Sequence, residues 1–314
     1  MPRVSYHILR GLIRLVCALP YRTALGLGRG LGVLAWVFDP FHRRVVEIQM
    51  RAALGDAYRP GMSRDVFKHH GDILIDAVRY AYLDDETIRH KVTVKGREHL
   101  QAALAAGRGI MLITGHLGNW EVLAHIPRLL GVEFCVMADT RRDPQHESIV
   151  DELRSRSGAT ILPPKGKALM LIRELKKGRT IGFVVDNRGD RKGGIFCPVF
   201  GLPALTNPAP AVIALKGDAL IVPVAAIKRG GAYTLTFEPA LDVRACRNDP
   251  VQAISDWMQA WVESVVLSCP VQWFWLYSRW IRRSEMRRAI RSGRDFKDSV
   301  LALNGAGDAA STDT

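Results

Sequence analysis

The sequence has no C-x2-C pair, no G-x-S-x-G turn and no apolar run of about 20 residues free of charge, and each absence excludes a class of protein. The cysteines, at 17, 135, 197, 246 and 269, are odd in number and far apart, so neither a disulfide framework nor a cysteine-held metal is indicated. The catalytic part therefore belongs in a reducing compartment. Without G-x-S-x-G no serine nucleophile is announced, and Cys135 and Cys197 have no activating neighbour in the sequence. Without a long uncharged run a membrane span is not demanded: the most apolar early stretch, TALGLGRGLGVLAWVF at 23–38, is short and carries Arg29. Lysine is missing from residues 1–60, which hold nine arginines and three acids.

What is present is a chain of 314 residues, 48% hydrophobic, with a formal net charge of +13. That is enough apolar material for a large core, and the excess of basic residues lies near the two ends. Residues 279–294 alone hold seven arginines and one acid. Such blocks suit an anionic membrane surface, a nucleic acid or an acidic partner, or else a solvated helix face. Near the start, Leu12, Leu15, Val16 and Leu19 recur at helical spacing while Arg10 and Arg14 lie on another face. The arginines and the lack of a clean cleavage site argue against a signal peptide, and the pattern fits an interfacial helix; buried amphipathic helices of the domain itself are the alternative.

From residue 91 the pattern alternates. KVTVKG (91–96), GIMLIT (109–114), VEFCVMA (132–138), TIGFVVD (180–186), ALIVPVAAI (219–227) and YTLTFEP (233–239) read as strands, with helices over 118–130, 144–157, 167–178, 207–217 and 250–268. This predicts an α/β fold with helices on both faces of a central sheet. The expected division is an N-terminal membrane-associated helical segment (1–45), an α/β domain (46–297) and a small, polar, disordered tail (298–314).

The second strand ends in GIMLITGHLGNWE, with His116, Asn119 and Glu121 crowded just beyond it. That is either a decorated turn or a site, and ligands bind at carboxyl ends of strands in open α/β sheets. The spacing His116-x4-Glu121 lets the carboxylate reach back to one ring nitrogen, fix the tautomer and raise the basicity of the other. A histidine and an acid without a nucleophile point to direct attack by a hydroxyl or water on an activated carbonyl.

GHLGNWE after an apolar strand resembles the catalytic block of the late acyltransferases of lipid A biosynthesis, the lauroyl and myristoyl transferases, within the wider H-x4-D/E glycerolipid acyltransferase class. TRRDPQHESIVDELRSRSGATILP (140–163), VVDNRGDRKGGIFCPVFGLPALTNPAPAVIALKGDALIVPV (184–224) and PVQWFWLYSRW (270–280) resemble further blocks of that family in the same order. The resemblance implies a mixed sheet, His116 as general base with Glu121 as its partner, Asn119 and Trp120 shaping the block, Arg154 or Arg156 binding a head group or donor phosphate, and Asp186 ordering the site. It implies an acyl carrier protein or CoA thioester as donor, a glycolipid acceptor at the cytoplasmic face of the inner membrane, and no cofactor or metal. The acceptor stays open among a lipid A precursor, a phosphoinositide mannoside and a lysophospholipid. A different class of protein, a basic nucleic-acid binder, would use Trp273, Phe274, Trp275, Tyr277 and Trp280 to stack bases among the arginines.

Overall fold

The fold was taken from a computed structural model, which describes residues 2–137, 144–162 and 167–304. Its strands are β1 (Val92–Lys95), β2 (Ile110–Thr114), β3 (Cys135–Met137), β4 (Thr160–Leu162), β5 (Thr180–Val184), β6 (Ile195–Val199), β7 (Leu202–Thr206), β8 (Leu220–Arg229), β9 (Ala232–Phe237) and β10 (Leu241–Asp242). The main sheet runs β1-β9-β8-β2-β5-β3-β4, with β10 on β8, while β6 and β7 form a separate hairpin. Neighbours from β8 through β2, β5 and β3 to β4 are parallel, whereas β8 and β9 are antiparallel, so the sheet is mixed as expected.

The helices are α1 (Pro2–Ala18), α2 (Tyr21–Phe38), α3 (Pro40–Leu54), α4 (Met62–Tyr80), α5 (Asp85–Lys91), α6 (Arg97–Ala105), α7 (Ile126–Leu130), α8 (Pro144–Arg156), α9 (Lys167–Lys176), α10 (Ala209–Gly217), α11 (Pro250–Ser268), α12 (Arg283–Ser292) and α13 (Phe296–Asn304). Strand β2 is buried along its whole length and feeds two cores: Met111 and Ile113 pack with α9, α10 and α11, Ile110 and Leu112 with α5 and α6. Alternate side chains of a strand point to opposite faces, so a continuous apolar run such as IMLI is what a sheet covered on both sides requires.

Two expectations about boundaries change. The division at residue 45 falls inside α3, whose Val45 and Val46 are buried in the main core. Helix α2 is fastened to α4 by backbone contact at Gly28 and Gly71, where a Cβ on Gly71 would meet the Gly28 carbonyl at 2.0 Å. The crossing is reinforced by Arg29 on Asp72 at 2.8 and 2.9 Å. A buried network continues from there: Lys228 Nζ donates to Asp76 at 2.7 Å and to Asp72 at 3.2 Å, and the Tyr233 hydroxyl donates to Asp76 at 2.7 Å. Buried charges persist only when paired in this way, and the network ties α2, through Asp72 and Asp76 of α4, to β8 and β9. At the other end, α13 runs through the first residues of the expected tail because Phe296 and Val300, four apart, are buried beside Trp280. Residues 305–314 lie outside the described residues.

Candidate active site

Strands β2 and β5 are paired in parallel with Thr114 opposite Val184. Two residues further along each chain stand His116 and Asp186, and the register brings them together. His116 Nδ1 lies 2.7 Å from Asp186 Oδ1, and the His116 backbone N–H donates to Oδ2 at 2.8 Å. The indole N–H of Trp273 donates to the same Oδ2 at 2.7 Å. Asp186 is 3% exposed. Burial alone would raise its carboxyl, but the charge of His116 and the hydrogen bonds from His116 and Trp273 outweigh it and hold the group at about 2. An ionised carboxylate can only accept, so Nδ1 carries the proton and the Nε2 lone pair is the basic one.

The turn that presents His116 is fixed on all sides. Gly118 sits at φ +54°, and a Cβ there would meet the Ala226 carbonyl at 2.0 Å, so no other residue fits. Gly118 N–H donates to the Gln272 carbonyl at 2.7 Å, Asn119 N–H to Ala226 at 3.0 Å, and Phe274 N–H to the His116 carbonyl at 3.0 Å. The ring of Trp120 meets His116 edge-on at 4.9 Å, and Phe274 lies 5.8 Å from it, so the imidazole has aromatic walls. Behind Phe274 stands His70 at 4.8 Å. Its Nδ1 is bonded to the Val66 carbonyl at 2.6 Å, and burial pushes it down to about 4, which keeps it neutral.

Glu121, expected as the partner of His116, is bonded in this geometry to Arg154 and Trp120. Glu121 opens a 3-10 turn, Trp120–His125, where a regular helix over 118–130 was expected, and its side chain is directed toward α8. There Arg154 holds it by a two-pronged bond, Nε to Oε2 at 2.8 Å and Nη2 to Oε1 at 2.7 Å, and the Trp120 indole donates to Oε1 at 3.1 Å. Asn119, expected to shape the block, is fully buried: its Oδ1 accepts from the Glu121 backbone at 3.2 Å and its amide reaches the Tyr233 hydroxyl at 3.5 Å. Arg156 stands apart from Arg154, bonded to Glu152 one turn back at 3.1 Å and lying over Tyr82. Of the six residues read from the sequence, His116 and Asp186 meet directly, Glu121 and Arg154 form a second pair beside them, Asn119 supports the turn from below, and Arg156 lies outside.

Trp273 was visible in the aromatic block, but nothing in its spacing said that it donates to Asp186. Arg279 in that block is buried, donating to Leu205, Thr206 and Gln259, and its positive charge faces the negative Asp186. Trp273, Trp275 and Trp280 are buried in the core, so the stack of aromatics that would serve a nucleic-acid binder is not available to bases. Cys197 is buried and its thiol pushed up to about 12 by burial; Cys135 is likewise buried and raised. Neither is a thiolate nucleophile. Among the described residues no group of three or more His, Cys, Asp or Glu side chains is arranged to hold a metal ion.

A carboxylate-held imidazole at the carboxyl ends of parallel strands sits where ligands bind in open α/β sheets, and such a pair is able to take a proton from a hydroxyl. The family described as bacterial lipid A biosynthesis acyltransferase matches residues 2–282, and the chain belongs to it: the protein is an acyltransferase of lipid A biosynthesis type. It is 26% identical to the lipid A biosynthesis lauroyltransferase of Escherichia coli over 88% of this chain and 90% of that one. It is 27% identical to a phosphatidylinositol mannoside acyltransferase of Mycobacterium tuberculosis, over 62% of each chain. The crystal structure of the 1-acyl-sn-glycerophosphate acyltransferase of Thermotoga maritima superposes with a TM-score of 0.38 at 14% identity, covering 79% of this chain and 96% of that one.

Proposed function

We propose that the protein transfers a fatty acyl chain from a thioester on acyl carrier protein or CoA to a hydroxyl of a lipid A precursor, with His116 as general base and Asp186 as the residue that orients it. The single observation that carries this reading is the bond from Nδ1 of His116 to a carboxylate held ionised at about 2. Nε2 takes the proton of the acceptor hydroxyl as its oxygen attacks the thioester carbonyl. The tetrahedral intermediate collapses, the carbon–sulfur bond breaks, and the thiolate leaves with the proton from Nε2. The products are an ester and a free thiol, and no acyl-enzyme forms. The Arg154–Glu121 pair borders the Trp120 wall; the Arg154 fork is engaged by Glu121, so a phosphate of the acceptor or donor would bind there by exchanging with that carboxylate.

The same reading puts the enzyme on the cytoplasmic face of the inner membrane. No helix among the described residues is long and apolar enough to cross a membrane. Instead Ile8, Leu12 and Leu15 on α1 and Leu27, Leu31, Leu34 and Phe38 on α2 form exposed apolar stripes at helical spacing, which supports an interfacial attachment. The test is a transfer assay with acyl carrier protein and CoA donors against a lipid A precursor, a phosphatidylinositol mannoside and a lysophospholipid, with products identified by mass spectrometry. Ester formation on the lipid A precursor alone is the expected outcome. Transfer only to another acceptor would overturn the substrate assignment, and an acyl chain trapped on the protein would overturn the mechanism.

A further inference from the structure

Helix α12 carries a charge pattern that the chemistry at His116 does not use. Arg283, Arg287 and Arg291 follow at intervals of four, on one face of the helix, and are exposed, as are Arg282 and Arg288 beside them. Met286 is the residue the helix buries, and none of the large exposed apolar side chains lies on it. The one acid, Glu285, is half-buried, accepting from the Arg282 backbone at 2.7 Å and from Arg191 at 3.1 Å. The outer face of the helix itself is therefore cationic; beside it, Asp39 at the end of α2 is paired with His42 and lies within reach of the Arg283 charge.

Its position gives the charge a direction. Arg283 and Arg287 lie over the ring of Phe41 at 5.2 and 5.0 Å. Phe41 is three residues beyond Phe38, which is 78% exposed and ends the apolar stripe of α2. The basic face thus begins where the apolar stripe stops. At its other side α12 is tied to the active site, because Arg188, two residues after Asp186, donates to the Ile281 carbonyl at 2.6 Å just ahead of the helix.

We propose that this arginine face of α12 docks on anionic lipid head groups, as a second membrane contact that holds the His116 turn at the bilayer surface. The inference rests on the membrane-associated reading above. An apolar stripe alone gives weak and unoriented attachment, whereas an adjacent row of arginines adds head-group attraction and fixes which side faces the lipid. A protein partner would have to cover the apolar end of α2 together with the basic face; a bilayer supplies both surfaces at once.

The experiment is sedimentation of the full chain with vesicles of phosphatidylcholine, with and without phosphatidylglycerol. Replacing Arg283, Arg287 and Arg291 together by glutamine should weaken binding to the anionic vesicles about a hundredfold, since each well-placed basic residue contributes about fivefold, and leave binding to neutral vesicles unchanged. The triple lysine variant keeps the charge and should bind as the parent does, which guards against a folding defect in the glutamine variant. Transfer measured in detergent micelles should be unaffected by either variant. Equal loss on neutral and anionic vesicles, or no loss on either, overturns the proposal. So does unchanged vesicle binding with lost binding to acyl carrier protein, which would mark the face as a protein-docking surface. Failure of transfer in micelles by the parent chain would instead count against the acyltransferase reading of the site and leave the vesicle result to be judged by itself.

Discussion

Two carboxylates flank the turn that carries His116, and the structure treats them differently. Asp186 is far away in sequence, nearly inaccessible, and bonded to the imidazole, to the backbone of the turn and to an indole. Glu121 is five residues away and partly open to solvent, with side chains of Arg154 and Glu121 exposed by 21% and 23%, and it is engaged by a guanidinium. Proximity along the chain pointed to Glu121 as the partner. Register brings a different carboxylate to the imidazole: parallel strands whose ends lie side by side put residues 70 apart into contact, while the 3-10 turn carries Glu121 to Arg154. The interior pair is the one that can set a base, and the rim pair is the one that can meet a charged ligand.

The largest effect should come from breaking the interior pair. His116→Ala is expected to lower transfer by about 10²–10⁴, and Asp186→Asn by a similar factor, because the amide no longer fixes the tautomer; the double variant should be scarcely worse than either. Glu121→Ala should leave most of the activity. If steady-state rates show Glu121→Ala falling as far as His116→Ala, the distinction between the two carboxylates is gone.

Acid separates the interior pair from its surroundings. Asp186, held at about 2, contributes stability that is complete above the ordinary carboxylate range and is lost only as the pH falls through about 2. His69, His70 and His125 behave in the opposite sense: burial holds each neutral down to about 4, while in the unfolded chain each is protonated below about 6.5. Stability should therefore fall as the pH drops from about 6.5 toward 4, with up to three protons taken up on unfolding, each contributing about 1.4 kcal/mol per pH unit. Urea midpoints across that range would measure it. A flat profile there would mean that these histidines are charged or solvated in the fold.

Trp273→Phe keeps the ring and removes one donor to Asp186. A charge-assisted hydrogen bond of this kind is worth about 1.5–3 kcal/mol, so kcat should fall by about 10- to 150-fold with KM little changed. Unchanged kcat would show that the two contacts from His116 hold the carboxylate without the indole.

The rim pair should give the smallest response. Arg154→Lys replaces a fork by a point charge and should raise KM for the phosphorylated substrate several-fold with kcat nearly constant, while Arg156→Lys should do nothing measurable. Equal effects of the two would return Arg154 to an ordinary surface ion pair.

Much of this was legible beforehand. Each of the six strands read from the sequence has a counterpart, because central strands such as β2 and β8 carry continuous apolar runs while β1 and β9 alternate apolar and polar residues. The β6–β7 hairpin was not read, since FCPVFGLPALT mixes prolines with apolar residues in a way that no period describes. Much of helix α13 lies in the segment that reads as a polar tail, because its polar neighbours hide the pair Phe296 and Val300. His116 stood out because a histidine has no reason to end a buried strand, and that anomaly is local.

Local pattern, then, determined the elements, the strand that leads to the site, the histidine at its end and the basic character of the chain's two ends. Which carboxylate meets the histidine was decided only when β2 and β5 were set in register, with Thr114 opposite Val184, and when Trp273 was brought across to Asp186 from the C-terminal block. The same is true of the arginine face of α12 and the apolar stripe of α2, which meet at Phe41. Side-chain periodicity is written into a segment by its own residues, whereas a contact between distant segments depends on how whole elements pack, and the sequence does not carry that as a pattern.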